Sequence, residues 1–359
     1  MRSGSTVQWP IWWDLSMRDV IWTTVNALGL PSAEDRAEAS ANWGNRTAND
    51  RYQTTWPCLN AIELAQPPDL APSPAKLTVT AWNIERCKWV EPSAELIRRV
   101  SADVVLATEV DLGMARSGQR HTTRDLAEAL GFGFGFGVEF VELGLGDANE
   151  TVECAGQTNL HGLHGNAILS RYPLRDVALI PLDAGGYWFV QAPKNDGQYR
   201  VGGRMAIAAR IDTGNGPLVL CAVHYESESD AAGRAAQTET MLKTLDALYG
   251  SGSAIIGGDL NTKGFLEAGM TGGQTLADPY KVEPSFRHFE NHGFDWRASN
   301  TGEVTTRLQP TNPPDWPLKT IDWLFMRGVA AADPFVTPAL SKSGEYLSDH
   351  ELIGATIRP

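Results

Sequence analysis

From residue 77 onward the apolar positions fall into short runs rich in β-branched residues, separated by turns and a few helical stretches. Strands are predicted at 77–84 (LTVTAWNI), 103–110 (DVVLATEV), 165–170 (GNAILS), 205–211 (MAIAARI), 217–225 (PLVLCAVHY), 253–260 (SAIIGGDL), 321–326 (IDWLFM) and 352–357 (LIGATI). Helical spacing falls between them at 93–100, 123–130 and, most clearly, 230–250. Several strand runs are apolar throughout instead of alternating, which implies sheets covered on both faces. The pattern predicts an α/β sandwich of stacked sheets flanked by helices. The run GFGFGFG (131–137) lacks the Gly-Lys-Ser/Thr ending of a phosphate loop and follows a helical stretch instead of opening one. Its period of two puts Phe132, Phe134 and Phe136 on one face of an extended segment.

Residues 1–76 follow a different pattern. Ile11, Leu15, Val20, Ile21, Trp22, Val25 and Leu28 recur at roughly helical spacing, and Ser32 with Asp35 marks the start of a second helix. Trp9, Trp12, Trp13, Trp22, Trp43 and Trp56 lie here, half of the 12 in the chain, and the segment closes in the Pro-rich QPPDLAPSPAK. It is read as a helical extension packed on the main body, with the Pro-rich run as linker or strap and 77–359 as the catalytic domain. The alternative is an aromatic surface for peripheral membrane contact or for the substrate pocket.

Composition narrows the partners. The net charge of -13 and pI near 5.0 oppose binding of long duplex nucleic acid, which relies on Lys and Arg neutralising phosphates. Cys58, Cys87, Cys154 and Cys221 are widely spaced with no CxxC pair, so they are expected as reduced, packed thiols, not a zinc site. No apolar run is long enough for a membrane span, and the N-terminus lacks the apolar stretch and cleavage site of a leader. A monomer is expected, cytoplasmic by default and extracytoplasmic if a leader has been removed.

The chemistry sits at the strand ends. Asn83 and Glu85 close the first strand, Glu109 the second, and His224 and Glu226 follow the fifth. Asp259 and Asn261 end the sixth, Asp322 opens the seventh, and Asp349-His350 precede the last. Any one of these is an ordinary turn or cap residue. Their number at strand termini, where layered α/β proteins build sites, raises the functional reading. Clustered carboxylates repel unless a cation lies between them, and oxygen ligands without cysteine favour Mg2+, or Mn2+ or Ca2+, over zinc. His224 and His350 add oxyanion donors and proton-transfer groups.

The ordered motifs WNIE (82–85), TEVD (108–111), HGNAILSRYPL (164–174), VHYES (223–227), GGDLN (257–261), IDWLF (321–325) and SDH (348–350) resemble the endonuclease/exonuclease/phosphatase family, also called DNase-I-like. The resemblance implies a four-layer α/β sandwich, two mixed sheets packed face to face with outer helices, and metal-dependent phosphoester hydrolysis. It makes Asn83, Glu85, Glu109 and Asp349 metal ligands. It makes Asp259 and Asn261 the pair that activates water and contacts phosphate. His350, oriented by Asp322, would bind a nonbridging oxygen, and His224 would be a second catalytic histidine. His164, Asn166 and Arg204 are the substrate-side candidates, with Arg287, His288 and Lys319 as further phosphate contacts from the loops. Two departures stand out: Thr108 where many relatives carry Gln, and His164 where Tyr is common. The expected activity is hydrolysis of a small or lipid-linked phosphodiester. The alternatives are a nuclease and, from another class, a noncatalytic binding module.

Overall fold

The computed structural model describes residues 18–359 apart from 70, 73, 184–185 and 192–197. The strands in chain order are β1 (Thr24–Val25), β2 (Ile62–Ala65), β3 (Leu77–Arg86), β4 (Val104–Leu112), β5 (Gly133–Glu142), β6 (Leu163–Ser170) and β7 (Arg175–Pro181). They continue as β8 (Arg200–Gly202), β9 (Met205–Thr213), β10 (Gly216–His224), β11 (Ala254–Asp259), β12 (Asp322–Arg327), β13 (Ala330–Thr337) and β14 (Leu352–Arg358). Among the described residues they form two mixed sheets. The larger runs β1-β2-β5-β6-β4-β3-β14-β13, with β8 also on β5, and the smaller runs β12-β11-β10-β9-β7. All eight predicted strands are present, displaced by at most two residues at an end.

Period-two alternation explains how the sheets stack. On β10, Leu218, Leu220 and Ala222 point inward to meet Val79, Ala81, Val104 and Leu106 of the large sheet. Val219, Cys221 and Val223 point the other way, under Met241, Leu242 and Leu245 of the helix Ala231–Tyr249. The large sheet buries Trp82, Val105 and Ala107 beneath the helices Val90–Arg99 and Thr122–Leu130. The order is helix, sheet, sheet, helix. The Phe face of the GFGFGFG run lies in the outer core, as expected. On its opposite face a Cβ on Gly137 would meet Leu179 Cδ1 and Met205 Cε at 2.8 Å, while Gly135 has only ordinary contacts from 3.5 Å.

The helix expected across 11–28 is not formed in its described part. Ile21 exchanges both backbone hydrogen bonds with Leu179 at 2.9 Å, covering the open edge of β7, and Thr24–Val25 form β1. Edge pairing outweighs the helical spacing; positions before Arg18 lie outside the described residues. Ser32 does cap a helix, Ala33–Ala41, with a full capping box to Asp35. The large sheet lies on both sides of the Pro-rich run, because β2 pairs with β5 and Gln66 exchanges hydrogen bonds with the Leu174 backbone. All four cysteines are free and buried. No helix among the described residues is long and apolar enough to cross a membrane.

Candidate active site

Register places the polar residues in one row. β10 pairs with β11 so that His224 stands opposite Asp259, and β11 pairs with β12 so that Asp259 stands opposite Asp322. The strands then depart from regular pairing where side chains must be re-aimed. Register shifts occur between Asn83 and Arg86 and between Ala107 and Val110, and Glu85, Glu109 and Asn261 adopt positive φ of 41°, 60° and 49°. Such backbone costs of order 1–3 kcal/mol per residue and is retained where the surroundings enforce it. Gly258 (φ 143°) is required by the neighbouring strand, since a Cβ there would lie 2.0 Å from Val223 O.

Asp259 is the centre of the hydrogen bonding. Its Oδ1 accepts the Asn261 backbone N–H at 2.8 Å, and Asn261 Nδ2 donates to Tyr225 O at 3.0 Å. Its Oδ2 accepts Asn83 Nδ2 at 3.2 Å and lies 3.5 Å from His224 Nε2 and 3.7 Å from His350 Nε2. Behind His350, Nδ1 donates to Asp322 Oδ2 at 2.8 Å, and Thr305 Oγ1 donates to the same oxygen at 2.7 Å. Burial opposes a charged His350, yet Asp322 and Asp259 outweigh it and raise the ring to about 10. His224 is the opposite case. Burial and the adjacent Arg204 hold it well below the usual histidine value, and Arg204 Nη1 donates to its Nδ1 at 2.9 Å, leaving the proton on Nε2.

The acids form a second group. Glu85 Oε2 accepts the Tyr346 hydroxyl and, at 3.1 Å, the Asp349 backbone N–H. Gln309 Nε2 spans Glu85 Oε1 at 3.4 Å and Asp349 Oδ2 at 2.9 Å. Burial and the Asp349 charge push Glu85 up to about 7. Glu109 accepts Asn83 Nδ2 at 3.1 Å and forms an ion pair with Arg86. Neighbouring half-buried carboxylates with an amide oxygen nearby are a donor set suited to a hard divalent cation. Glu85, Glu109 and Asp349 do not bring three ligand atoms within 4.8 Å of one another, whereas Asp259, Asp322 and His350 do. That trio is a poorer cage, because the bonds to Thr305 and to protonated His350 already occupy Asp322 Oδ2.

Residues 80–350 match the sequence model of the endonuclease/exonuclease/phosphatase family. The chain belongs to this family. Similar solved structures include an endonuclease/exonuclease/phosphatase from Beutenbergia cavernae DSM 12333 (20% identity, TM-score 0.53, covering 79% of this chain and 72% of that one). Another, from Bacteroides vulgatus, has 15% identity and TM-score 0.52 over 79% and 99% of the two chains. The human nocturnin catalytic domain with bound sulfate has 17% identity and TM-score 0.50 over 79% and 93%. At these identities the likeness concerns the fold. No curated protein matches the chain.

Within this family member, a cavity of about 150 Å³ opens beside Asp259, Asn261, His224 and His350. His164 and Arg204 line it. His164 Nδ1 lies 2.8 Å from Asp111 Oδ1 and 3.2 Å from Arg116 Nη2, which also donates to Asp111. Asn166 does not reach the cavity. It is fully buried, and its Nδ2 donates to Glu139 Oε1 at 2.9 Å, steadying the carboxylate that accepts Arg204 Nη1 at 3.2 Å. Arg287 lies on the helix Ser285–Asn291, which also carries His288, and pairs with Glu290. The cavity has further walls in Arg86, Trp188, Gln198 and Arg200. The Arg86 signal was its place beside Glu85. Trp188 and Arg200 carried none, since the fold alone brings them there.

Proposed function

We propose that the protein is a divalent-metal-dependent phosphoesterase that hydrolyses a phosphodiester on a small or lipid-linked molecule. The observation that carries this reading is the convergence of three N–H donors, Asn83 Nδ2, His224 Nε2 and His350 Nε2, around one oxygen of Asp259. Three donors and a carboxylate at one point are what in-line attack of water on a phosphate needs: an acceptor for the water proton and positive groups for the equatorial oxygens.

Asp259, steadied by the Asn261 N–H, accepts the proton of the attacking water. His350 carries its charge into the site because Asp322 holds Nδ1, so its Nε2–H is offered to a nonbridging oxygen. Asn83 Nδ2 and the neutral His224 supply further N–H donors, and Arg204 keeps the His224 proton on Nε2. Glu85, Glu109, Asp349 and the Asn83 amide would hold the cation, which supplies charge neutralisation and Lewis acidity when bound. The small cavity and the charge of -13 oppose a long duplex as substrate.

Hydrolysis of bis(p-nitrophenyl) phosphate with Mg2+ or Mn2+ tests the proposal. Asp259→Ala and His350→Ala are each expected to lower kcat at least 100-fold, the usual scale for losing a positioned base or oxyanion donor. Equal turnover by wild type and both variants would remove the assignment.

A further inference from the structure

The cavity beside Asp259 is more cationic on its far wall than hydrolysis of one phosphate requires. Its arginines differ in how fully they are satisfied. Arg86 is shared by Glu109 and Glu150, and Arg204 by Glu139 and Glu226, although the Nε of Arg204 makes no hydrogen bond among the described residues. Arg200 has Glu142 alone, through Nη1 at 3.1 Å, and Glu142 also lies 3.8 Å from Arg116. The other Arg200 N–H groups have no acceptor among the described residues, and its Nε is fully buried. The side chain is 5% exposed and its guanidinium lies over the rings of Phe140 (3.8 Å) and Trp188 (4.3 Å). A guanidinium clamped between two rings, with most of its donors unused, has lost its ordering entropy before any ligand arrives.

We infer that Arg200 anchors an anion subsite that takes a phosphomonoester group of the substrate, next to the phosphodiester held at Asp259. This rests on the hydrolase reading and names its substrate class: a compact phosphodiester bearing a second, terminal phosphate. Size supports the class, because about 150 Å³ is well below the roughly 300–1,000 Å³ of cavities that enclose drug-sized ligands. A phosphate with part of its carbon backbone fits within that volume. Geometry supports phosphate over carboxylate. Gln198 and Arg200, most of whose donors are unused, both line the space, and a phosphate offers three oxygens to them where a carboxylate offers two. Burial lowers Arg200 to about 10, consistent with a charge that Glu142 only partly offsets.

The test uses inhibition of bis(p-nitrophenyl) phosphate hydrolysis in Mg2+ by ethylene glycol monophosphate, ethylene glycol bisphosphate and phosphoglycolate. In wild type the bisphosphate is expected to inhibit about tenfold to a hundredfold more tightly than the monophosphate, the scale of one charge-assisted hydrogen-bonded contact. Arg200→Gln is expected to bring that ratio close to one. Arg200→Lys, which keeps charge without the fork, should give an intermediate ratio and covers the case in which the Gln variant does not fold, as read from thermal melting. Equal inhibition by the two phosphates in wild type, an unchanged ratio in both variants, or phosphoglycolate binding more tightly than the bisphosphate would overturn the subsite. Absence of turnover would instead remove the hydrolase reading, and calorimetric titration with the same three compounds would still decide the subsite.

Discussion

Asp322→Asn isolates the role of the buried carboxylate, because it keeps the shape of the side chain and removes the charge 2.8 Å from His350 Nδ1. In the native protein the ring titrates at about 10 instead of 6.5. At ~1.36 kcal/mol per pH unit, that difference of 10 − 6.5 is about 5 kcal/mol in favour of the charged ring, already net of burial. Without Asp322 the burial penalty is opposed mainly by Asp259, so His350 is expected at or below its ordinary value. The sign follows. The charged donor persists in wild type until pH rises through about 10, whereas in the variant it is lost as pH rises through about 6.5. At pH 8 the variant then retains about 3% of its rings charged, a loss in kcat/KM of roughly 30-fold from protonation alone, while at pH 5.5 about nine tenths are charged. Burial raises Asp322 itself to about 6, so the assay is the ratio of wild-type to variant kcat/KM from pH 6.5 to 9, in which limbs common to both proteins cancel. By the same linkage the His350 contribution to stability is present at pH 6.5, above the Asp322 titration at about 6, and is lost as pH rises through about 10. The melting-temperature gap between the two proteins should accordingly narrow at high pH. A ratio that is large but independent of pH would refute the reasoning, because it would mean that Asp322 acts through shape and not through the charge on His350.

The remaining expectations concern the scaffold and the acid group. Gly258→Ala places a Cβ 2.0 Å from Val223 O, so it should part β10 from β11 beside Asp259; a large drop in melting temperature with loss of turnover is expected, and native stability would contradict it. Phe286→Ala empties the centre of the Phe265, Trp296, Trp323 and Phe325 cluster under β12, with a cost of about 3–5 kcal/mol expected in denaturant titration. Glu85→Gln removes one of two adjacent half-buried carboxylates and should weaken Mg2+ or Mn2+ binding at least tenfold by calorimetry. Deleting residues 1–66 removes β1 and β2 and strands His121 and Arg124 without Glu63, so an insoluble or unfolded chain is expected in expression and melting tests.

The eight strands were legible because apolar runs with β-branched residues survive as sheet interior whatever their partners. Asn83, Glu85, Asp259 and Asn261 were legible for a related reason. They end such runs, and the register between neighbouring strands then delivers them to one place. What escaped depends on contacts far along the chain. The stretch around Ile21 has helical spacing, but an open sheet edge at Leu179 offers backbone hydrogen bonds that spacing cannot register. Asn166 sits in a motif beside a site residue, yet β6 turns its side chain towards Glu139, away from the cavity. Arg200 lies on a three-residue strand with no pattern of its own, and its environment is assembled from Phe140, Glu142 and Trp188.

That assembly links the N-terminal segment to the cavity. Trp188 lies on the short helix Tyr187–Val190, whose Phe189 O accepts the Gly44 N–H at 2.9 Å and whose Phe189 ring meets Tyr52 edge-on at 5.9 Å. Asn49 fills the space beside Gly186 so closely that a Cβ there would lie 2.4 Å from its Nδ2. The wall that carries Trp188 is therefore held by residues 44–52, ahead of the 80–350 span matched to the family. The strand ends that hold Asn83, Glu109, His224, Asp259, Asp322 and His350 all fall within the span. The lining of the cavity lies within the span, but the Trp188 wall is braced from outside it: substitutions at strand ends should change turnover, and substitutions at the contacts around Phe189 should change which phosphate compounds fit.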